Sequence, residues 1–173
     1  MLLARSLLLA LTMGLAMAAG AAYAAPSLRL ASLDGGPTVP LRHATGGRSA
    51  ILVFWRADCA PCLLEFEKLA ELRAAAGAVP LMLVGLQPAD RLRQGLQRLK
   101  LGPTQSWRAL DDPAEALVRF GGAPPRLPLA VALNAEGEVC ARRHGLLGAA
   151  IVEKWIKACG GGRNRSRPIP HSL

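Results

Sequence analysis

The sequence is poor in aromatic residues, with three Trp, three Phe and one Tyr among 173 positions, and it holds only three histidines. So few rings leave no basic patch interleaved with aromatics, and nucleic acid is not indicated as a partner despite a formal charge of +9. Cysteine is also scarce: Cys59, Cys62, Cys140 and Cys159, with a single Cys-x-x-Cys pair. With no second pair and no His pair, the ligand count falls short of a zinc site, and no metal site is expected. Charge is missing altogether between Arg5 and Arg29. Within that gap Leu7 to Ala19 is apolar, and Ala22-Tyr23-Ala24 fits cleavage before Ala25, so residues 1–24 are expected to be a secretory signal. The competing expectation is an uncleaved anchor, because the uncharged interval is just long enough to span a bilayer. Either way the remainder lies outside the cytoplasm, periplasmic and, with an anchor, associated with the membrane through its N-terminus.

About 149 residues follow the signal, enough for one domain with one core and too few for two. Residues 25–160 are assigned to that domain. Residues 161–173 form a basic, proline-containing tail expected to be disordered. Without Arg5, Arg163, Arg165 and Arg167 the formal charge falls from +9 to +5, which reads as a solvated surface in an Arg-rich composition.

What is present is organised around Phe54-Trp55-Arg56-Ala57-Asp58-Cys59-Ala60-Pro61-Cys62-Leu63-Leu64-Glu65-Phe66. The apolar run Ala50 to Trp55 reads as a strand, and the dithiol opens a helical pattern that continues to Ala76. At a helix start, unpaired N–H groups and the dipole favour a Cys59 thiolate, the form that attacks disulfides, and Cys62 sits one turn further in to attack back. At about 100° per residue, Cys62, Phe66, Leu69 and Ala76 share one stripe, with Glu65 about 60° from its centre. Glu65 is thus either a partly buried carboxyl that exchanges a proton with Cys62 or an edge residue that reaches water.

Around this segment, Leu28 to Leu33 and Val39 to Leu41, split by Asp34-Gly35-Gly36-Pro37, predict an N-terminal β-hairpin. His43 to Ser49 reads as a loop, with His43 on the surface. Val79 to Leu86 reads as a buried strand and Pro88 to Lys100 as an amphipathic helix with Leu92, Leu96 and Leu99 inward. Trp107 to Leu110 is a short extended piece, and Asp112-Pro113 starts a helix through Phe120. Gly121 to Pro128 is a loop into the strand Leu129 to Leu133. Asn134-Ala135-Glu136-Gly137 turns it into the return strand Glu138 to Arg143. Gly148 to Ala158 closes the chain as a helix with Ile151, Trp155 and Ala158 inward. Strand, helix, strand, helix implies parallel strands joined by right-handed crossovers, an α/β architecture.

The Phe54-Trp55 strand end, Cys59-Ala60-Pro61-Cys62 and Glu65 resemble the TlpA/ResA type of exported thioredoxin-like proteins, relatives of the cytochrome c maturation thioredoxins. The resemblance implies a thioredoxin-like fold, a central mixed β-sheet flanked by helices, here with the added hairpin. It also implies a thiol:disulfide oxidoreductase that works as a monomer without a cofactor. Cys59 would be the nucleophile, Cys62 the resolving thiol and Glu65 the proton shuttle. Pro128 would be the cis-proline facing the dithiol, with Leu127 and Trp55 at the partner surface. The implied partners are a client protein carrying a disulfide or cysteine pair, such as apocytochrome c or a copper-site protein, and a transmembrane dithiol electron donor. One departure stands out: the family usually has an aromatic residue before the first cysteine, and here it is Asp58. Asp58 either caps the helix or, about 6 Å from Cys59, opposes the thiolate by roughly 0.7 kcal/mol in water-like dielectric, against the 0.3 to 1 that a helix terminus supplies.

Cys140 and Cys159 lie outside that motif. Of three possible pairings the economical one adds Cys140–Cys159 to Cys59–Cys62, closing a loop of about 20 residues; two separate thiols are the alternative. Rival functions are a disulfide oxidant or a copper(I) chaperone of thioredoxin fold, the latter using soft thiolates with His144 nearby.

Overall fold

A computed structural model of the chain describes residues 26–104 and 106–159. The expected signal and tail lie outside the described residues.

The strand β3 (Ala50–Trp55) is buried at all six positions because both faces of the sheet are covered. Its alternation sorts the core into two halves. Ile51, Val53 and Trp55 join one apolar cluster with Cys62 and Phe66 of α2 (Ala60–Glu67), Leu69, Leu72 and Ala76 of α3 (Leu69–Ala76), Leu92 and Leu96 of α4 (Ala89–Arg98), and Val152 and Trp155 of α6 (Ala149–Cys159). Ala50, Leu52 and Phe54 join the other with Leu41 of the short α1 (Leu41–Ala44) and Ala116, Leu117 and Phe120 of α5 (Pro113–Gly121). Phe54 meets Phe120 with ring centroids 5.2 Å apart.

The sheet has seven strands in the order β2-β1-β5-β4-β3-β6-β7. In its middle β3, β4 (Leu81–Gly85) and β5 (Ser106–Ala109) run parallel, as the alternation of strands and helices predicts. The hairpin β1 (Arg29–Ser32) and β2 (Thr38–Pro40) is present and adds to the β5 edge antiparallel. On the other side β6 (Leu129–Leu133) lies antiparallel to β3, and β7 (Val139–His144) to β6.

Local chemistry sets several boundaries. Asp112 caps α5 by accepting from the N–H groups of Ala114 and Glu115, and Pro113 takes the first turn. Three details differ from the sequence expectations. The helical pattern to Ala76 is broken at Lys68, which leaves α-helical geometry, so α2 and α3 are separate helices that share one buried stripe. His43, expected in a loop, sits in α1 and is exposed, as a surface histidine should be. On α6 it is Val152 that is buried beside Trp155, whereas Ala158 is exposed and Ile151 half-buried. A stripe centred on Val152 and Trp155 leaves Ala158 at its margin.

Candidate active site

The chain leaves the sheet after Trp55, and two neighbouring strand-helix units hold the segment that follows. The Ala57 N–H donates to Oε1 of Gln87, just beyond β4, at 2.7 Å. The Ala57 carbonyl accepts from the guanidinium of Arg98, at the end of α4, at 3.2 Å. The close crossing of α4 requires glycine at position 95, where a Cβ would stand 2.9 Å from that of Ala57 and 3.1 Å from the Trp55 ring. Neither Gln87 nor Arg98 carries a signal in the sequence, since each is a polar residue at an element end whose partner lies 30 or 41 positions away.

Cys59, held by this segment, is the N-cap of α2. Its backbone is extended and its Sγ accepts the Cys62 N–H at 3.3 Å, while Pro61 occupies the first turn where no N–H is needed. Cys59 is half-buried, Cys62 is fully buried, and the two form a disulfide with Cα atoms 5.3 Å apart. On reduction, the amides and dipole at this helix end favour negative charge on the outer sulfur.

Asp58 is not the cap. Its carboxylate faces Arg56 in a two-point contact, Nε to Oδ1 at 2.9 Å and Nη2 to Oδ2 at 2.8 Å. That pairing holds the Asp58 carboxyl below its usual range. The negative charge beside Cys59 is therefore matched by an adjacent guanidinium, and its opposition to a thiolate is smaller than that of a bare carboxylate.

Glu65 lies one turn beyond Cys62 on the same buried face and is 2% exposed. Its Oε1 accepts the Leu147 N–H at 2.8 Å, and Oε2 has no hydrogen-bond partner among the described residues. Burial raises its pKa above the ordinary 4.5, opposed by the Leu147 hydrogen bond and the charge of Arg143. Of the two placements the sequence leaves open, buried or at the edge, Glu65 takes the buried one. The edge reading fails because the turn after β7 closes over this side of α2.

The Leu127–Pro128 peptide is cis, and so is Ala123–Pro124, which the sequence did not single out. Because Phe54 pairs with Leu129 across the antiparallel β3/β6 ladder, Pro128 falls alongside Trp55, at the sheet end from which the dithiol segment departs. Pro128 is buried and Leu127 half-buried, and both Leu127 and Cys59 pack on the cluster that contains Cys62. Trp55, expected at the partner surface, is 0% exposed, its ring centroid 5.0 Å from that of Phe66. Surface contact with a client is not open to it here, and what it contributes is packing beneath the dithiol.

His144 has Nδ1 3.3 Å from the Arg126 carbonyl and Nε2 3.2 Å from the Gly121 carbonyl, so the ring sits between the proline-rich loop and the end of α5. Cys140 and Cys159 are disulfide-bonded, Cα atoms 5.9 Å apart, which joins β7 to the end of α6.

No protein-family model matches the chain, and no curated protein sequence matches it. Solved structures do resemble it. StoA from Bacillus subtilis is 22% identical, with a TM-score of 0.57 over 76% of this chain and 98% of that one. A thiol:disulfide interchange protein of the thioredoxin family from Chlorobium tepidum TLS is 17% identical, with a TM-score of 0.58 over 78% and 94%. The pneumococcal exposed lipoprotein thioredoxin Etrx1 from Streptococcus pneumoniae TIGR4 is 18% identical, with a TM-score of 0.57 over 76% and 98%. At these identities the likeness establishes the fold, which is thioredoxin-like.

Proposed function

We propose that the protein is an exported thiol:disulfide oxidoreductase that reduces disulfides in client proteins. The observation that carries this reading is the asymmetry of the pair at the start of α2: Cys59 half-buried at the cap, and Cys62 fully buried one turn in, beside the buried Glu65. Reduced Cys59, as thiolate, attacks one sulfur of the client disulfide. The Cys59–client bond forms, the client S–S bond breaks, and the first client thiolate leaves. Cys62 then gives its proton to the Glu65 carboxylate and attacks the Cys59 sulfur, which forms Cys59–Cys62 and releases the second client thiolate. The client gains two electrons, and a transmembrane dithiol donor restores the reduced pair.

The cis Leu127–Pro128 segment, at the same sheet end, offers backbone groups to an extended client strand. Export rests on the apolar segment between Arg5 and Arg29. Among the described residues no helix is long and apolar enough to cross a membrane. Clients with haem-site or copper-site cysteines fit the resemblance to the cytochrome c maturation thioredoxins.

The test is a redox titration of the full-length protein against thiol buffers, with alkylation and mass mapping of the four cysteines. A Cys59–Cys62 couple near the thioredoxin value, about −270 mV, supports a reductant, and one near −120 mV makes the protein an oxidant. A pair that does not cycle removes the enzyme reading. In the same preparation Cys62→Ser is expected to trap a mixed disulfide through Cys59.

A further inference from the structure

The Leu146–Leu147 peptide group is held from both sides. Its carbonyl accepts from Arg143 Nε at 2.7 Å, and its N–H donates to Glu65 Oε1 at 2.8 Å. One planar amide thus stands between an exposed guanidinium on β7 and a carboxyl that is 2% exposed. A cation on the carbonyl polarises the amide and makes its N–H a better donor, because hydrogen bonds in a chain reinforce one another. The same turn is fixed to the proline loop, since the Gly145 N–H donates to the Pro128 carbonyl at 3.0 Å. Gly145 has φ +88°, a conformation that favours glycine. Residues 143–147 therefore couple the surface, the cis-proline segment and the buried carboxyl.

We propose that Arg143 is a positioning residue for thiol–disulfide exchange: through the Leu146–Leu147 peptide it holds the N–H that donates to Glu65 and so favours the carboxylate that accepts the Cys62 proton. This rests on the role given to Glu65 above. The groups around Glu65 make Arg143 the natural source of such control. The core cluster that holds Cys62 and Leu147 includes Trp55 from β3, Phe66 from α2, Leu69 from α3 and Val152 from α6. Cys62 is the titratable neighbour on its own helix, and Arg143 is the charged group that acts on the carboxyl from outside it. Burial drives Glu65 towards the protonated form, and a protonated carboxyl has no room for the thiol's proton.

The inference separates Arg143 from its neighbour Arg142, which is exposed on the same strand and carries the same charge. In the oxidised protein Cys59 and Cys62 do not titrate, so the Glu65 carboxyl carbon followed by NMR reports on this carboxyl alone. Arg143→Gln is expected to move its titration to higher pH, Arg143→Lys to restore most of the shift, and Arg142→Gln to leave it in place. In the reduced protein, the acid limb of the rate of reduction of a small-molecule disulfide moves the same way in Arg143→Gln. The rate on that limb falls roughly two- to fivefold, the range an exposed charge commands. If Arg143→Gln and Arg142→Gln titrate Glu65 alike, the proposal is overturned. If Arg143→Gln moves the Glu65 titration but Glu65→Gln exchanges disulfides at the wild-type rate, the coupling stands and the proton-shuttle role of Glu65 is what fails.

Discussion

The molecule contains the same covalent bond in two settings. Cys59–Cys62 spans three positions at the N-terminal end of α2, with one sulfur half-buried and the other fully buried. Cys140–Cys159 spans 19 positions and ends on Cys159, the last residue of α6, where the negative end of the helix dipole lies. The first closes almost no loop and gains little from constraining the unfolded chain, but its surroundings favour a thiolate at the outer cysteine. The second constrains a loop of about 20 residues and disfavours negative charge at Cys159, which suits a staple. On the proposed function, the helix end that each cysteine occupies suits the first bond to cycling and the second to holding.

The largest effect expected from breaking this division is at Cys59. Cys59→Ser is expected to abolish disulfide exchange, measured as reduction of a protein disulfide by the pre-reduced enzyme. Full activity in this variant would reverse the assigned roles. Next comes the staple. The Cys140→Ser, Cys159→Ser double variant is expected to lose about 3 kcal/mol of unfolding free energy in denaturant titration while keeping its exchange rate. A folded double variant without exchange would show that the second bond takes part in the chemistry.

Glu65 sharpens the comparison, because it shares the buried face of α2 with Cys62. Glu65→Gln is expected to slow release from the mixed disulfide about a hundredfold, the lower end of general acid–base contributions. Its stability carries a second signature. A carboxyl whose folded pKa is raised holds its proton more tightly folded than unfolded. Its contribution is thus fully present below the unfolded value of 4.5 and is lost as pH rises through the folded value. Relative to wild type, Glu65→Gln should therefore gain stability as pH rises from about 4.5 and then level off. A difference that stays constant with pH would mean that burial does not raise this pKa.

The smallest effect concerns the charges flanking Cys59. Arg56→Gln leaves the Asp58 carboxylate unpaired and is expected to slow alkylation of reduced Cys59 by less than about fivefold, and Asp58→Asn to speed it by a similar factor. Equal rates in all three proteins would mean that the ion pair is electrically silent at the sulfur.

Most of the fold was legible in the sequence because it follows from local chemistry. The all-apolar run of β3, the alternation of strands and helices, the Asp112-Pro113 cap and the turn at Asn134 to Gly137 each carry their signal within a few residues. The buried stripe of α2 likewise placed Cys62 and Glu65 on one face. Of the two readings of Asp58, the cap fails for a local reason as well: its carboxylate pairs with Arg56, and Cys59 takes the cap position.

Other features depended on contacts between distant positions. In the β6/β7 ladder Ala132 pairs with Ala141 and Leu133 with Val139, so Cys140 is the extra residue of a bulge. Val139 and Ala141 consequently pack on opposite core clusters, although two residues apart in a regular strand they would share a face. Period-two reading gives no way to see that shift, so the sequence could name Cys140–Cys159 as the economical pairing without showing that the two sulfurs face each other, as they do. The Leu147 N–H reaches Glu65 across 82 positions through a turn whose placement depends on that ladder and on Pro128. The sequence by itself determined most of the elements, the dithiol at its helix start and the apolar stripe beside which Glu65 stands, because propensity, capping and hydrophobic period act over one or two turns of chain. The tertiary structure alone decided the staple, the anchors on Ala57 and the peptide between Arg143 and Glu65. Each is a directional bond of a few ångströms between remote residues, and a slip of one residue in strand register removes it.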